Sequence, residues 1–597
     1  MYYEKSGEND NDEINVSACP TCTNNQNGQF TFTDTRSGAP NSGNAIGNVA
    51  MGLFDSYSEL GQRAYTLFRG SSYEPYAQDS WKVSQRLTVN VGVRYTVIVP
   101  YHALWANMIA FDPMLYDPAK AVTVKNGVVI APSGTDRYNG MVIPGTGWPD
   151  SAKGRFPEAT AGTYDYLFRG GAYPNYFSHI RWGQIQPRAG FAYRLNDKTV
   201  LRAGGGRFIT RVGVSDSIFL GGNPPYQPTA NVTFGNADNP GGLSANSLPL
   251  TVTTQSRDFK NPEAWNWNVT VERELPWHSL MTVGYVGRRG LHQQRESNIN
   301  QPTPAVVAAA PAGTNLDDLR PYKGYNSVRE SDNVASSRYN GLQLTWNHRF
   351  SSGLHAGVVY TYSKSMDDGS NPKDIIPDTY YANNMWGPSE FDTRHVFIAN
   401  FLYALPFFKD HSHLSGKMLG GWQVSGLIQY QSGLPTSIGR GTDYAGVGVD
   451  GNLTGGIGNY LVFNNSSLDY QKTMAHNSGN SDANWWVYPF NEAGCAATGT
   501  GCTLKWTAPT KGTFNHQDGI RDMIYNPGFE NYNLGLFKDF KIRETLGFQF
   551  RAEAYDALNH PNWSGVGTDP TNLTTLMKVT NKTGDVRNLQ LSLRFHF

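Results

Sequence analysis

The chain has few charged residues and no excess of either sign. Its 597 residues include 49 Lys+Arg and 49 Asp+Glu, and charged residues make up 16%, below the roughly 25% of ordinary globular proteins. A neutral chain whose sequence shows no basic patch with interleaved aromatic residues is atypical of nucleic-acid-binding proteins, so we expect no such partner. Aromatic residues are frequent at 13%, and there are 64 Gly. This mixture suits a protein wall with lipid on one side and water on the other.

Long apolar segments are also missing. A transmembrane helix needs about 20 consecutive apolar residues, and the best stretch, residues 396–408, is interrupted by Asn400 and Pro406. The N-terminal segment MYYEKSGENDNDEINVS has no apolar core of the kind found in secretory signals. Since an exported protein needs such a signal, we expect this sequence to be truncated at its N-terminus.

Cysteine is scarce, and its four copies form two close pairs: Cys19 with Cys22, and Cys495 with Cys502. An even number at short spacing suits local disulfides within loops in an oxidising compartment. A four-cysteine zinc site is the alternative. Because only one pair has the two-residue spacing typical of zinc ligands, we expect disulfides, and we expect no metal and no cofactor.

Apolar and polar residues alternate with a period of two over segments of about ten residues, which is typical of membrane β-strands. Segments 86–95, 339–350, 353–363 and 545–555 all show it. The pattern predicts that each strand has an apolar face and a polar face. The apolar face points toward lipid and carries Leu342, Leu344, Trp346, Leu546, Phe548 and Phe550. The polar face points toward a wet lumen and carries Gln343, Asn347, Gln549 and Arg551.

Short turns alternate with long polar segments along the chain. The segment LTWNHRF-SSG-LHAGVVYTY predicts a hairpin, whereas residues 102–180, 289–335, 365–390 and 440–528 form long polar connections. This asymmetry is typical of outer-membrane barrels, with short periplasmic turns and long extracellular loops. We count about fourteen strands, and no repeat of 40 to 50 residues supports a β-propeller. The expected fold is therefore an all-β, transmembrane antiparallel barrel.

Aromatic residues cluster near predicted strand ends, among them Trp265, Trp267, Trp277, Tyr360, Tyr362, Phe401 and Tyr403. Such placement suits the aromatic girdles of a membrane barrel. The alternative is that Tyr and Trp are simply good strand formers. We favour girdles, because the alternation independently indicates a barrel.

The last ten residues, NLQLSLRFHF, alternate without a break and end on an aromatic residue. The apolar face of this segment carries Leu589, Leu591, Leu593, Phe595 and Phe597. A terminal aromatic residue on the lipid face resembles the signal read by the barrel-assembly machinery. We therefore expect this machinery and outer-membrane lipid as partners.

Several segments resemble TonB-dependent receptors. Residues 73–95, YEPYAQDSWKVSQRLTVNVGVRY, are similar to a double strand of that family. Four further segments are similar to its Oar-like branch: QPRAGFAYRLNDKTVLRAGGGRF, WNWNVTVERELPWHSLMTVGYVGRRGLH, FDTRHVFIANFLYALPF and FQFRAEAYDALNHPNW. The resemblance extends from about residue 28 to Phe597.

This resemblance implies the barrel of a 22-stranded, plugged transporter, energised from the inner membrane through a short N-terminal box. The sequence contains no plug-like segment, no such box and no N-terminal carboxypeptidase-regulatory-like sandwich. We therefore expect one partial barrel domain over residues 1–597, with first strands and a loop in 1–70 and barrel hairpins in 71–597. TonB-type energy coupling is expected only in the full-length protein.

No catalytic motif is present: HExxH, GxSxG and a phosphate loop are all missing. The Gly-rich AGGGRF, residues 203–208, lies within a strand pattern and suits close strand packing. We therefore expect no enzyme, but an outer-membrane receptor that binds and passes a large nutrient such as a carbohydrate, peptide or chelate. A passive porin or a surface adhesion scaffold is the alternative.

Overall fold

The computed structural model describes most of the chain, with gaps mainly near the N-terminus and between residues 449 and 519. The described residues are 2–8, 29–34, 40–60, 66–155, 157–213, 219–226, 229–233, 235–240, 248–351, 353–371, 374–382, 385–408, 413–439, 443, 445–448, 462–463, 475–476, 486–487, 506–507, 509–516, 520–542, 546–568, 578–579, 581–583 and 586–597.

One antiparallel sheet of 16 strands forms the wall of the molecule. In chain order its strands are β1 (Tyr2–Glu8), β2 (Thr66–Tyr73), β3 (Tyr76–Lys82), β4 (Leu87–Ala103), β5 (Gln184–Asn196), β6 (Thr199–Ile209), β7 (Glu263–Leu275), β8 (Ser279–Gln293), β9 (Ala335–Ser351), β10 (Leu354–Asp367), β11 (Gly387–Pro388), β12 (His395–Ala404), β13 (Trp422–Gln431), β14 (Phe529–Lys541), β15 (Gly547–Tyr555) and β16 (Asn588–His596).

Each strand of the wall pairs with strands that lie near it in the chain. The path runs from β1 through β2 to β4 and then in order to β16, while β3 pairs with β4 and β11 pairs with β10 as side branches. The path thus holds 14 strands (16 minus these two), and about fourteen were expected. Among the described residues, no ladder joins β1 to β16.

Tight turns connect the strands at one end of the wall. Asn196 pairs with Thr199, so only Asp197 and Lys198 connect β5 to β6. Leu275 pairs with Ser279 across a three-residue turn in which Trp277 and His278 have φ of 60° and 55°.

The strand register separates two faces of the wall. Val283 of β8, Leu344 of β9 and Tyr360 of β10 lie in one row, and this apolar side is the outer face. Gly284, Gln343 and Thr361 form the next row, on the opposite, inner face. On β16, the outer face shows Leu589, Leu591, Leu593 and Phe595, and Phe597 follows the strand; all five are at least 54% exposed. A sheet with such a face suits a lipid environment.

The long connections are not the plain polar loops that their composition suggested. Most of the buried apolar residues of the described chain lie in them or at the adjoining strand ends. The largest cluster joins segments 104–183, 210–262 and 294–334, with Phe111, Met141, Ile143, Tyr325 and Val328 at its centre. We call the described parts of these segments, together with those of 368–394 and 432–528, the loop cap.

Short elements give the loop cap its local order. Its helices are Pro157–Ala161, Pro304–Ala309 and short 3-10 turns at Pro113–Leu115, Pro118–Lys120, Asp150–Ala152, Asp165–Leu167, Gly170–Ala172, Phe219–Gly222 and Leu316–Asp318. Its strands are Ala110–Phe111, Thr123–Lys125, Val128–Ile130, Met141–Val142, Thr229–Thr233, Leu250–Gln255, Glu296–Asn298, Tyr325–Ser331, Pro435–Thr436, Val462–Phe463, Ala475–His476, Trp486–Val487, Trp506–Thr507 and Ile524–Tyr525. Elsewhere lie helices Ala45–Ala50 and Leu414–Leu419, and strands Gln29–Thr31, Ser56–Leu60, Asn562–Trp563, Lys578–Val579 and Lys582–Thr583. None of the helices in the described residues is long and apolar enough to cross a membrane.

A substitution pair tests the two faces. Leu344 lies near the middle of β9 on the outer face, and Gln343 is its neighbour on the inner face. An arginine in place of Leu344 should destabilise the folded protein by about 2–4 kcal/mol, because it meets hydrocarbon near the midplane. Gln343→Arg should cost less than about 1 kcal/mol, because the lumen is wet. Reversible unfolding in lipid vesicles measures both, and equal costs would mean that the faces are assigned incorrectly.

Candidate functional site: a cavity between the wall and the loop cap

A cavity of about 470 Å³ lies where the inner face of the wall meets the loop cap. Strands β8, β9 and β10 contribute side chains at their loop ends, and segments 210–213 and 369–371 close the cavity from the cap. Its lining includes Thr210, Arg211, Arg288, Gln294, Ser337, Tyr339, Ser365, Asp367, Asn371 and Phe391. Hydroxyl, amide, charged and aromatic groups thus converge on a space large enough for a small ligand.

Arg288, which is exposed, and Tyr339, which is partly buried, form a polar part of the cavity lining. They lie directly opposite each other on β8 and β9, and Tyr339 in turn lies opposite Ser365 of β10. Arg288 is exposed, and no carboxylate in the described part of the chain forms an ion pair with it. Its guanidinium is therefore available to a ligand that carries a carboxylate, phosphate or other oxygen acceptor.

Arg211 has a structural role at the other side of the cavity. Its guanidinium lies 4.7 Å from the centre of the Tyr101 ring and donates hydrogen bonds to the carbonyl oxygens of Ser71 and of Val99, the latter at 3.0 Å. A Cβ atom at Gly70 would overlap this guanidinium and the Tyr101 ring, so a larger residue there would displace Arg211 or Tyr101. Arg211 thereby fastens the segment after β6 onto β2 and β4.

Arg521 fastens the loop cap to the end of β10. Its side chain is 1% exposed, and it forms a 2.8 Å ion pair with Asp367, which is 2% exposed. It also donates hydrogen bonds to the carbonyl oxygen of Asp367 at 2.7 Å and to the Ser370 hydroxyl at 2.7 Å. Since Asp367 and Ser370 both line the cavity, this buried network fixes the shape of the cavity wall.

Two carboxylic acids in the cap, Glu330 and Asp332, are partly buried. Burial raises the pKa of Glu330 to about 7, and the nearby charges of Asp332 and Asp112 raise it further. Burial also raises the pKa of Asp332 to about 6, although Arg295 opposes the shift. Because the folded cap favours their neutral forms, its stability depends on pH.

The site residues predicted from the sequence have different outcomes. Cys19, Cys22, Cys495 and Cys502 lie outside the described residues, so their pairing stays a prediction. The alternating residues of the C-terminal segment lie on the outer face of β16. The Gly-rich segment lies inside β6, where Gly204 approaches the backbone of Gly190 on β5.

Sequence reasoning missed the cavity. Arg288 carried a usable signal, since it occupies a polar position in an alternating segment close to a loop. Arg521 carried none, because its partner Asp367 is 154 residues away in the chain.

The comparisons with known proteins agree with this architecture. The family model for the outer membrane beta barrel domain matches residues 16–590, so the chain belongs to this family and is located in the bacterial outer membrane. The fold class and location predicted from the sequence are thus confirmed, and the resemblance to TonB-dependent receptor barrels agrees with them. No curated protein matches.

Solved structures of outer-membrane receptors are similar at low identity. The Ferric-Catecholate import receptor Fiu from K12 E. coli has 11% identity and a TM-score of 0.37, over 89% of this chain and 46% of that receptor. The outer membrane transporter YddB from Escherichia coli has 11% identity and a TM-score of 0.38, over 92% and 52%. The siderophore receptor PiuA from Acinetobacter baumannii has 8% identity and a TM-score of 0.36, over 91% and 44%. The chain thus spans about half the length of these proteins or less.

Arg521→Leu should loosen the loop cap. The substitution leaves Asp367 buried without its cation, and breaking a buried pair in this way costs about 3–5 kcal/mol. Hydrogen exchange of the backbone amides of residues 520–525 and 365–371 should become faster by the factor that corresponds to this loss of free energy. Arg169→Leu is the control, since Arg169 is an exposed arginine of the same cap. Unchanged exchange in the Arg521 variant would contradict the proposed fastening.

The loop cap should lose stability as pH rises. An acid whose pKa is raised on folding stabilises the folded state below its unfolded pKa, and this contribution is lost as pH rises through the folded value. For Glu330 this loss of stability occurs between about pH 4.5 and about pH 7. Protection of cap amides should therefore fall between about pH 4.5 and about pH 7, and Glu330→Gln should flatten the change. Asp238→Asn, at an exposed position of the cap, should keep the wild-type profile. A wild-type profile in the Glu330 variant would show that another group titrates.

Proposed function

We propose that this chain forms the barrel of an outer-membrane receptor that binds a large nutrient, such as a carbohydrate, peptide or chelate, and passes it through its lumen. The observation that carries the proposal is the cavity of about 470 Å³ between the inner face and the loop cap, which would hold one small part of such a nutrient. A scaffold for adhesion needs no space on the inner face, whereas a receptor must hold its ligand over the lumen. The role is one of binding and transport rather than catalysis.

The loop cap supports a receptor more than an open pore. Its segments pack around their own apolar cores, and buried ion pairs such as that of Arg521 fix it to the wall. Ordered loops position binding groups with little loss of entropy on binding. A passive porin is the second candidate, and it differs by an open conducting lumen.

Partners of the whole protein follow from the same proposal. In the full-length protein, TonB-type coupling supplies the energy for passage. The C-terminal residues Leu589, Leu591, Leu593, Phe595 and Phe597 form the signal read by the barrel-assembly machinery. Their exposure on the outer face of β16 supports this assignment, because such a signal must be accessible.

The binding test compares the cavity with a matched site lower on the wall. Protein purified from outer membranes is titrated with one representative of each ligand class: a ferric catecholate, an oligosaccharide and a hexapeptide. One of them should bind saturably. The double variant Arg288→Ala with Tyr339→Ala should weaken that binding at least about tenfold, because a hydrogen bond to a charged group contributes about 1.5–3 kcal/mol.

Arg202→Ala is the control for this test. Arg202 lies on the inner face of β6 near the turn end, where it pairs with Glu272 at 3.2 Å. Its loss should leave ligand binding unchanged. If none of the three ligands binds and the protein gives a steady, large single-channel conductance in planar bilayers, the porin alternative is correct.

A further inference from the structure

A cluster of basic and aromatic residues lies on the outer face of the wall, opposite the cavity. The register places Trp265, Arg289, Arg338 and Met366 in one row across β7 to β10. The next row, one step closer to the turns, contains Trp267, Gly287, Asn340 and Lys364. We call Arg289, Arg338, Lys364, Trp267 and Trp386 the basic patch.

Two arginines of the basic patch lie directly opposite each other. Arg289 of β8 pairs with Arg338 of β9 in the ladder, and both are exposed. Like charges at directly opposite positions are destabilising. In the described part of the chain, no carboxylate forms an ion pair with either guanidinium or with Lys364. An anion that bridges the two arginines would remove the repulsion.

The nearest acidic side chains already have other partners. Glu263 pairs with Arg207. Asp368 pairs with Arg295 at 3.5 Å and accepts a hydrogen bond from the backbone N–H of Ser336. Both carboxylates are therefore committed, and the patch has a local excess of positive charge.

Aromatic side chains give the basic patch a shape. A cavity of about 410 Å³ is lined by Trp267, Arg289, Ser336, Ser337, Arg338 and Trp386. The indole ring of Trp267 lies over Gly287, where a Cβ atom would overlap it. Trp386 lies just before β11, which pairs with the end of β10. Two apolar indoles beside two charged guanidiniums make this recess amphipathic. Such a recess suits the boundary between lipid and water, where tryptophan is favoured.

The basic patch lies at the depth of lipid headgroups. From Arg338 to His348 the chain advances ten residues along β9, about 33 Å at the usual rise per residue. With the tilt usual in such barrels this corresponds to a height of about 25 Å, which equals the apolar band. Leu342, Leu344 and Trp346 fill the interval on the outer face. Because the patch lies at the loop end, it faces the outer leaflet.

We propose that the basic patch binds the phosphate groups of a phosphorylated glycolipid in the outer leaflet, with Arg289 and Arg338 as the phosphate ligands. Guanidinium groups bind phosphate in a bidentate manner. Lys364 adds charge one row below, and the two tryptophans contact the glycan and the start of the acyl chains. The site differs from the nutrient cavity, because its two arginines lie on the other face of the same strands, although Ser337 lines both cavities.

The test measures lipid binding by the purified full chain in a neutral detergent. The probe is a diphosphorylated lipid A, compared with the same lipid after removal of its phosphates. The wild-type protein should bind the phosphorylated form saturably and the dephosphorylated form at least about tenfold more weakly. Arg289→Gln with Arg338→Gln should weaken binding of the phosphorylated form by about thirtyfold.

Two further variants separate recognition from folding. Arg289→Lys with Arg338→Lys keeps both charges and should retain binding within about fivefold. Arg273→Gln removes an exposed arginine of the same face at the turn end and should bind like the wild type. Heat-modifiable migration in gel electrophoresis reports whether each variant is folded. If the glutamine variant does not fold, the difference in binding between the two lipids, measured on the wild-type protein, tests the proposal instead.

Three results would overturn the proposal. One is equal binding of the phosphorylated and dephosphorylated lipids. Another is unchanged lipid binding in the folded double glutamine variant. The third is displacement of the lipid by inorganic phosphate at concentrations comparable to those of the lipid, which would show a site for free anions.

Discussion

Backbone hydrogen bonding in a medium without water is the constraint on which this structure depends. A peptide group left unpaired in hydrocarbon costs several kcal/mol, so every membrane-embedded segment must pair along its length. Between β4 and β16 the wall meets this requirement with continuous ladders between neighbouring strands, whereas β16 has a ladder on one side only among the described residues. The side chains then match the medium that each face contacts, with apolar side chains toward lipid and polar side chains toward the lumen.

This constraint moves the hydrophobic core out of the sheet. A wall with lipid on one side and water on the other has no dry interior in which apolar side chains can pack together. The buried apolar clusters are instead in the loop cap and at the strand ends below it, as the burial of Phe111, Met141 and Val328 shows. Order in the cap therefore comes from ordinary packing in water, and the cap can hold a cavity of fixed shape.

The sequence predicted the wall because a single strand already contains the whole signal. Alternation within β9 alone assigns Leu342 and Leu344 to one face and Gln343 to the other, and the register agrees. The cap could not be predicted in this way. The cap is held by an ion pair between Arg521 and Asp367, which lie in distant segments of the chain. No local sequence pattern marks either residue as buried. The pKa of Glu330 is likewise raised only because distant segments bury its carboxyl group.

The two proposed sites share the same strands because the side-chain period is two. Arg288 and Arg289 are consecutive on β8, yet the first lines the inner cavity and the second lies in the outer patch. On β9, Tyr339 and Arg338 divide in the same way. A shift of one residue in the pairing of these strands would exchange the two sets. Such a shift would bring Tyr339 to the headgroups and place an arginine over the lumen. The lipid site thus opposes the shift, because the shift would remove the arginines from the lipid phosphates. Binding of lipid phosphate on the outside therefore stabilises the same register that presents Arg288 to a nutrient on the inside.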